Sequence, residues 1–231
     1  MRRGSRSRAP RTLTNMSHES TPVSAAHFDY IRSHCEAEDA LLRELKDAAR
    51  AAGIPAIWIA PEQARLLQIL LRAARAREVV EVGTLAGYSA LVMARALGPG
   101  GRVRTIEVSA HHAAFAREWI ARAAPQAAVE VLLGPGAAVL PTFADHSADA
   151  MFVDADKAGY PLYLEQALRI VRPGGLVLVD NAFAFGQLLD AHPTDRGVPH
   201  VRAFNELMAR CERLEKVIVP VGDGLWVAIV R

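Results

Sequence analysis

Two short polar segments carry the side chains best suited to chemistry in this chain of 231 residues. They are Asp154-Ala155-Asp156-Lys157 and Asp180-Asn181. Carboxylate and amide oxygens without Cys or His suit a hard cation such as Mg²⁺, so Asp154, Asp180 and Asn181 are candidate metal ligands. The same residue types also cap helices and turns, and both interpretations stay open on these residues alone. Lys157 is close enough in sequence to Asp154 to reach the same site.

A second group of residues is typical of a nucleoside-binding site. Gly83 and Gly87, four positions apart, follow the apolar run 79–82 and let the backbone pass close to a ligand at a helix start. A tight strand-to-helix turn without a ligand has the same pattern. The dinucleotide motif G-x-G-x-x-G is absent, because Leu85 fills the central glycine position. Glu107 ends the next strand-like run, where an acid accepts both hydroxyls of a ribose, so the pattern indicates a nucleoside and no particular reaction.

The elements that position these residues alternate between strand and helix from residue 79 onward. Strands are predicted over residues 79–82, 102–108, 129–133, 149–153 and 176–179. Helices are predicted over residues 88–97, 110–124 and about 161–171. This alternation predicts a doubly wound α/β sheet with parallel strands and crossover helices. Strands over 216–221 and 225–230 flank Gly222-Asp223-Gly224 and predict a C-terminal antiparallel hairpin, which brings the sheet to seven strands.

The N-terminal region is predicted to be helical, after a basic tail. Apolar spacing favours one helix over about 27–52, and Pro61 starts another. Residues 1–15 contain five arginines and no acid. Without them the chain has 22 basic and 25 acidic residues, so its net charge is −3, whereas that of the full sequence is +2. We expect residues 1–26 to be disordered, with Met16 an alternative start to Met1. A transit peptide or a nucleic-acid-binding arm are the other interpretations of the tail.

Composition narrows the class of protein further. No apolar run approaches the ~18 residues of a membrane helix, and no secretory signal follows the arginines. Cys35 and Cys211 are too few for a disulfide framework and are expected to be buried thiols. We therefore expect a cytoplasmic protein with no membrane partner. No aromatic residue lies among the arginines and the remainder is acidic, so no nucleic-acid partner is expected either.

Taken together, the motifs resemble the Mg²⁺-dependent, S-adenosylmethionine-dependent O-methyltransferases of the caffeoyl-CoA and catechol type, particularly their bacterial members. The resemblance covers about residues 27–231. The matching segments are PEQARLL (61–67), VVEVGTLAGYSALVMARAL (79–97), MFVDADKAGYPLYLEQALRIVRPGGLVLVDNAF (151–183), RAFNELM (202–208) and VPVGDGLWVAIVR (219–231). It implies a class I, Rossmann-like methyltransferase fold in one domain, with N-terminal helices over 27–75 and an α/β core over 79–231.

The resemblance also implies a role for individual residues. Asp154, Asp180 and Asn181 would bind Mg²⁺ or another divalent cation such as Mn²⁺ or Ca²⁺. Lys157 would be the general base, and Asp154 is the second catalytic candidate. The residues implied to surround S-adenosylmethionine are Glu81, Gly83, Ser89, Glu107 at the ribose, Gly136 and Ala137 in the segment 134–137, Asp154 and Tyr160. The acceptor would be a small aromatic diol, and a homodimer is expected.

Some positions depart from the family pattern and keep alternatives open. Ala64 stands where many relatives have Gly, and Gly134–Ala137 differs from the usual adenine-contact segment. Phe183 and Phe185 occupy the position of an aromatic acceptor wall, the loop 187–199 is expected to set acceptor choice, and Trp58 is a further candidate for the acceptor pocket. The alternatives are a metal-independent methyltransferase of the same fold, an NAD-dependent oxidoreductase and a nucleic-acid-binding module.

Overall fold

The computed structural model describes residues 22–35 and 37–231. Helix α1 (Ala25–His34) belongs to one compact unit, and residues from Ala37 onward form a second. The single helix predicted over 27–52 is wrong, because α1 ends before α2 (Ala40–Ala51) begins. Asp39 starts α2 as its N-cap, and its carboxylate accepts a hydrogen bond from the Leu42 backbone N–H at 2.9 Å. The predictions for the basic tail fall mostly on residues 1–21, which lie outside the described residues.

A seven-stranded sheet forms the centre of the second unit, in the order β3-β2-β1-β4-β5-β7-β6. Its strands are β1 (Glu78–Val82), β2 (Arg102–Glu107), β3 (Ala128–Leu133), β4 (Ala148–Val153), β5 (Val171–Val179), β6 (Leu214–Val219) and β7 (Leu225–Val230). The first five strands are parallel, and β7 runs antiparallel to both β5 and β6. The predicted doubly wound, mostly parallel sheet with a C-terminal hairpin is therefore confirmed.

Helices cover both faces of this sheet. They are α3 (Pro61–Ala73), α4 (Tyr88–Leu97), α5 (Ala110–Ala123), the short α6 (Gly136–Val139), α7 (Tyr160–Ile170) and α8 (Val198–Arg210). One apolar cluster contains Leu67 of α3 and Leu91 of α4, and the other contains Leu164 of α7. Adjacent residues of β1 join different clusters, Val79 the first and Val80 the second, as the pleat of a strand requires. The core thus has two layers with the sheet between them.

Three details differ from the sequence-based expectations. Helix α8 was not predicted, and it begins at Val198 inside the expected loop 187–199. Strand β5 begins at Val171, because Val171 pairs with Ala148 before the register shifts. Cys35 is exposed and Cys211 partly buried, so the expectation of two buried thiols is wrong. Among the described residues, no helix has both the length and the apolar character needed to span a bilayer.

Candidate active site

The turn after β1 brings the chain close to the segment after β4. Gly83 has a φ of +105°, and a Cβ built on it would lie 2.0 Å from the carbonyl oxygen of Asp154. Only glycine fits this approach, since a side chain would require both a left-handed conformation and space that the backbone occupies. Gly87, with φ of +84°, then caps the N-terminus of α4. The positive end of this helix therefore lies at the carboxyl edge of the sheet.

Glu81 is a fully buried acid that lacks a hydrogen-bond partner. Its side chain is 0% exposed, and neither carboxylate oxygen is hydrogen-bonded within the described part of the chain. Desolvation raises the pKa of Glu81 to about 8. The nearby hydroxyls of Ser89 and Thr105 lie outside good hydrogen-bond geometry and lower this pKa only in part. A buried group of this kind is stabilised by a cationic or hydrogen-bonding ligand, and an ammonium group fits it.

Glu107 ends β2 with its carboxylate held by two backbone amides. Oε2 accepts a hydrogen bond from Leu85 N at 2.7 Å, and Oε1 accepts one from Ser109 N at 2.9 Å. Each carboxylate oxygen has a second lone pair, so the group can accept two further donors such as vicinal hydroxyls. The structure thus fixes Glu107 in an orientation that suits the predicted ribose contact.

The segment after β3 supports the predicted site partly through packing. Gly136 starts α6 and is buried, and a Cβ on it would lie 2.8 Å from the Tyr163 ring and 3.0 Å from Val82. Glycine here allows α6 to approach the sheet and α7 closely. Ala137 is the next residue and is exposed, so a ligand at this edge can reach it.

Asp154, Lys157, Tyr160 and Asp180 form one connected group at the ends of β4 and β5. Lys157 Nζ donates to Asp154 Oδ1 at 3.2 Å and to the Tyr160 hydroxyl at 2.6 Å. The Tyr160 hydroxyl donates to the backbone carbonyl of Asp180 at 3.3 Å. Asp156 has the capping role, because its Oδ2 accepts from Gly159 N at 2.9 Å. Asp154 is therefore left for the site.

The two aspartates are electrostatically unfavourable as charged groups. Burial and the neighbouring charge of Asp154 raise the pKa of Asp180 to about 7, although Gln63 Nε2 donates to its Oδ1 at 2.7 Å. Burial also raises the pKa of Asp154, and Lys157 opposes this increase. Two buried carboxyl groups with raised pKa values fit a bound cation, which would favour their charged forms.

The third predicted metal ligand, Asn181, has its amide oriented by a neighbour. Its Nδ2 donates to Asp223 Oδ2 at 3.1 Å, which leaves Oδ1 as the atom able to bind a cation. Across residues 22–35 and 37–231, no group of three or more His, Cys, Asp or Glu side chains is arranged to hold a metal ion. The predicted set contains two carboxylates and one amide, and it stays a prediction.

Comparison with protein families decides the class of this chain. The sequence model of a family described as O-methyltransferase matches residues 32–230. The chain belongs to this O-methyltransferase family. The resemblance read from the sequence motifs is thus confirmed, and with it the class I methyltransferase fold. Membership of this family favours a methyltransferase over the two alternatives from other classes, the NAD-dependent oxidoreductase and the nucleic-acid-binding module.

Individual relatives place the enzyme among bacterial O-methyltransferases. It is 39% identical over 202 residues to the catechol O-methyltransferase of Niastella koreensis, covering 84% of this chain and 91% of the relative. It is 35% identical over 207 residues to the catechol O-methyltransferase of Mycobacterium tuberculosis, covering 87% and 94%. The O-methyltransferase from Bacillus cereus, solved in complex with SAH, superposes with a TM-score of 0.80 at 35% identity, covering 89% of this chain and 97% of that one.

A second solved structure gives the same result. The O-methyltransferase of Streptomyces achromogenes that is involved in tomaymycin synthesis, in complex with SAM, has a TM-score of 0.78 and 34% identity. The alignment covers 87% of this chain and 94% of that one.

Three aromatic residues were expected near the acceptor of this O-methyltransferase, and the structure places one of them, Phe185, beside the polar cluster. Phe185 is 42% exposed, and its ring centroid lies 5.8 Å from Lys157 Nζ. Phe183, two residues earlier in the sequence, is partly buried. Trp58 packs under two cations of α2, with Lys46 Nζ 5.7 Å and Arg50 Cζ 4.9 Å from its ring centroid. Of Phe183, Phe185 and Trp58, Phe185 is thus the one whose ring lies near the predicted base.

Two residues of the site were missed as functional candidates. Gln63 is 1% exposed and donates to Asp180, and Asp223 accepts from Asn181. Gln63 lies in one of the segments that carry the family resemblance, and Asp223 lies between the two glycines of the hairpin turn. The sequence context of both residues suggested a functional role, but it did not indicate a contact with the predicted metal ligands.

Proposed function

We propose that this O-methyltransferase transfers the methyl group of S-adenosylmethionine to one hydroxyl of a small catechol-like diol, with a divalent cation at Asp154, Asp180 and Asn181. The observation that carries the proposal is the connected group of Lys157, Asp154 and Asp180 at adjacent strand ends. Relatives named catechol O-methyltransferase support the acceptor class.

The cofactor would be held by the groups around the β1–α4 turn. S-adenosylmethionine supplies an electrophilic methyl group on a positively charged sulfur. Glu81 would pair with the ammonium of the methionine part, which accounts for a buried carboxylate without another partner. Glu107 would accept the ribose hydroxyls with the lone pairs that Leu85 and Ser109 leave available. Complexes of related enzymes with SAH and SAM support the choice of cofactor.

Lys157 is the side chain best oriented to take the proton from the acceptor. A neutral amine has two N–H bonds and one lone pair. Asp154 Oδ1 and the Tyr160 hydroxyl each accept an N–H bond from Nζ, and a deprotonated Lys157 would have its lone pair in the remaining direction. As the acceptor oxygen forms its bond to the methyl carbon, the S–C bond breaks and Lys157 holds the proton that the hydroxyl loses. Positioning of the acceptor oxygen behind the methyl carbon supplies much of the remaining rate increase.

Asp154, Asp180 and Asn181 would hold the cation. Lys157 and Gln63 each donate to the Oδ1 atom of an aspartate, Asp154 and Asp180 respectively, and so orient the two carboxylates. A divalent cation there would chelate vicinal oxygens and favour their deprotonated form. Phe185 would lie against the flat ring of the acceptor.

The test is methyl transfer with and without a chelator. A panel of catechols and hydroxycinnamoyl compounds is incubated with S-adenosylmethionine and Mg²⁺, and methylated products are detected by mass spectrometry. We expect EDTA to abolish product formation and excess Mg²⁺ to restore it. Unchanged activity in EDTA would support the metal-independent methyltransferase instead. Absence of binding to S-adenosylmethionine in calorimetry would reject both.

A further inference from the structure

The turn between β6 and β7 contacts the proposed site directly. Gly222 and Gly224 have φ values of +57° and +79°. A Cβ on Gly222 would lie 2.0 Å from Gln63 Oε1, and one on Gly224 would lie 2.8 Å from the Phe183 ring. The backbone conformation favours glycine at both positions, and at Gly224 the Phe183 ring also leaves no room for a side chain. The turn thus packs against Gln63, which donates to Asp180, and against Phe183, which follows Asn181 by two residues.

The carboxylate of Asp223 accepts three hydrogen bonds from the segment after β5. Oδ2 accepts from Asn181 Nδ2 at 3.1 Å and from Phe185 N at 2.7 Å, and Oδ1 accepts from Gly186 N at 3.0 Å. The turn itself does not use this side chain, because Gly224 N donates to the Val221 carbonyl at 3.0 Å. The carboxylate is thus directed entirely toward the chain between Asn181 and Gly186.

That chain segment has an unusual backbone. Asn181, Ala184 and Phe185 have φ values of +62°, +54° and +60°. Left-handed conformations of residues other than glycine cost about 1–3 kcal/mol each and persist where surrounding contacts determine them. The backbone amides of Phe185 and Gly186 find their acceptor in Asp223, so this one side chain supplies contacts that hold the strained segment.

We propose that Asp223 is a positioning residue for both halves of the acceptor site. It accepts from Nδ2 of Asn181 and so turns Oδ1 toward the cation, and with its other bonds it fixes the aromatic wall at Phe185. This inference rests on the proposed metal-dependent function. Without Asp223 the amide can rotate and present its NH₂ group, which cannot bind a cation. One carboxylate thereby couples the cation ligand to the wall that contacts the acceptor ring.

The test compares Asp223→Asn with the matched variant Asp149→Asn. Asp149 also accepts two backbone amides, Arg77 N and Glu78 N, and one side-chain N–H from Arg172, but at the amino ends of the strands. Mg²⁺ is titrated by calorimetry into each protein saturated with SAH. Loss of a group that orients a metal ligand weakens metal binding about 10- to 100-fold, and we expect this for Asp223→Asn. The affinity for SAH should stay within about twofold in both variants, and that for Mg²⁺ within about twofold in Asp149→Asn.

A second measurement needs no metal. Hydrogen exchange of the Phe185 and Gly186 amides in metal-free protein should accelerate in Asp223→Asn and stay unchanged in Asp149→Asn. Equal Mg²⁺ affinity in the wild type and Asp223→Asn, or an equal loss in both variants, would overturn the inference while the metal-dependent function stands. A wild-type protein that binds SAH but no Mg²⁺ would overturn the metal site and the inference together. Unchanged exchange at both amides would overturn the role of Asp223 at the wall.

Discussion

Replacement of Glu81 by Gln tests the assignment of the cofactor pocket, because two effects of opposite sign are expected. Glu81 is fully buried, and its pKa is raised from 4.5 to about 8 by desolvation. In the ligand-free enzyme the charged form is therefore unfavourable, and the variant removes it. In the complex the same charge would pair with the ammonium of the cofactor, and the variant loses that interaction.

The magnitude follows from the pKa shift of Glu81. A pKa increase from 4.5 to about 8 corresponds to about 5 kcal/mol at about 1.4 kcal/mol per unit. Because the folded pKa is raised, this stability is fully present below pH 4.5 and is lost as the pH rises through about 8. Between pH 6 and pH 9 the wild type should lose about 3 kcal/mol through this group, and Glu81→Gln should not. For a domain of this size that is a difference of about 6–12 °C in Tm.

The assay is the free energy of unfolding of ligand-free protein in urea at pH 6 and pH 9. The cost of burying the glutamine amide is the same at both pH values. The informative quantity is therefore how much the difference in unfolding free energy between variant and wild type changes from pH 6 to pH 9. Glu78→Gln is the matched control, since Glu78 lies at the other end of β1, partly exposed beside Arg104 at 3.5 Å. We expect SAH affinity to fall about 10- to 100-fold in Glu81→Gln, which is the loss of one charge-assisted hydrogen bond. A stability difference that does not change with pH would refute the buried neutral carboxyl, and unchanged SAH affinity would refute the cofactor contact.

The remaining predictions concern the base and the β1–α4 turn. Lys157→Ala is expected to lower kcat about 100- to 10,000-fold, as loss of a general base does, while calorimetry with SAH shows little change. Near-normal turnover would remove Lys157 from the mechanism. Gly83→Ala should destabilise the fold by more than about 4 kcal/mol, because its Cβ would lie 2.0 Å from the Asp154 carbonyl oxygen. Gly53→Ala has a positive φ but no atom within 4 Å, so it should cost about 1 kcal/mol, and equal urea midpoints for the two variants would contradict this reasoning.

Most strands and helices of the α/β core were predicted closely from the sequence, and helix α8 was missed. The ends predicted for strands β1 to β4 and for helices α4, α5 and α7 agree with the structure to within one residue. Helix α8 was missed because its buried residues, Val201, Phe204 and Met208, are separated by polar ones and follow a loop-like composition. These three residues have helical spacing, and Phe204 and Met208 join the apolar cluster on one face of the sheet. Packing against the sheet therefore stabilises helix α8.

The start of β5 shows the same effect within a strand. Pro173-Gly174-Gly175 is a strong turn signal and indicated that the strand begins at Leu176. In the structure the strand continues across these residues, because Val171 pairs with Ala148 on the other side of a register shift. A Cβ on Gly175 would lie 2.6 Å from the Asp149 carbonyl oxygen, so the glycine allows two chains to approach each other. The two glycines do mark a backbone that other residues would not easily adopt. The structure there is an irregular strand, however, and not the turn that was predicted.

For the site, the sequence was informative about the residues at strand ends and silent about the residues that hold them. Asp180 and Gln63 are separated by 117 positions, and Asn181 and Asp223 by 42. Such distances carry no local signal. The missing information was strand order: β7 lies antiparallel beside β5, with Val179 opposite Trp226, so the turn that precedes β7 must lie at the carboxyl end of β5. Once that pairing is known, the contact between Asp223 and Asn181 follows from the hairpin that the sequence already predicted.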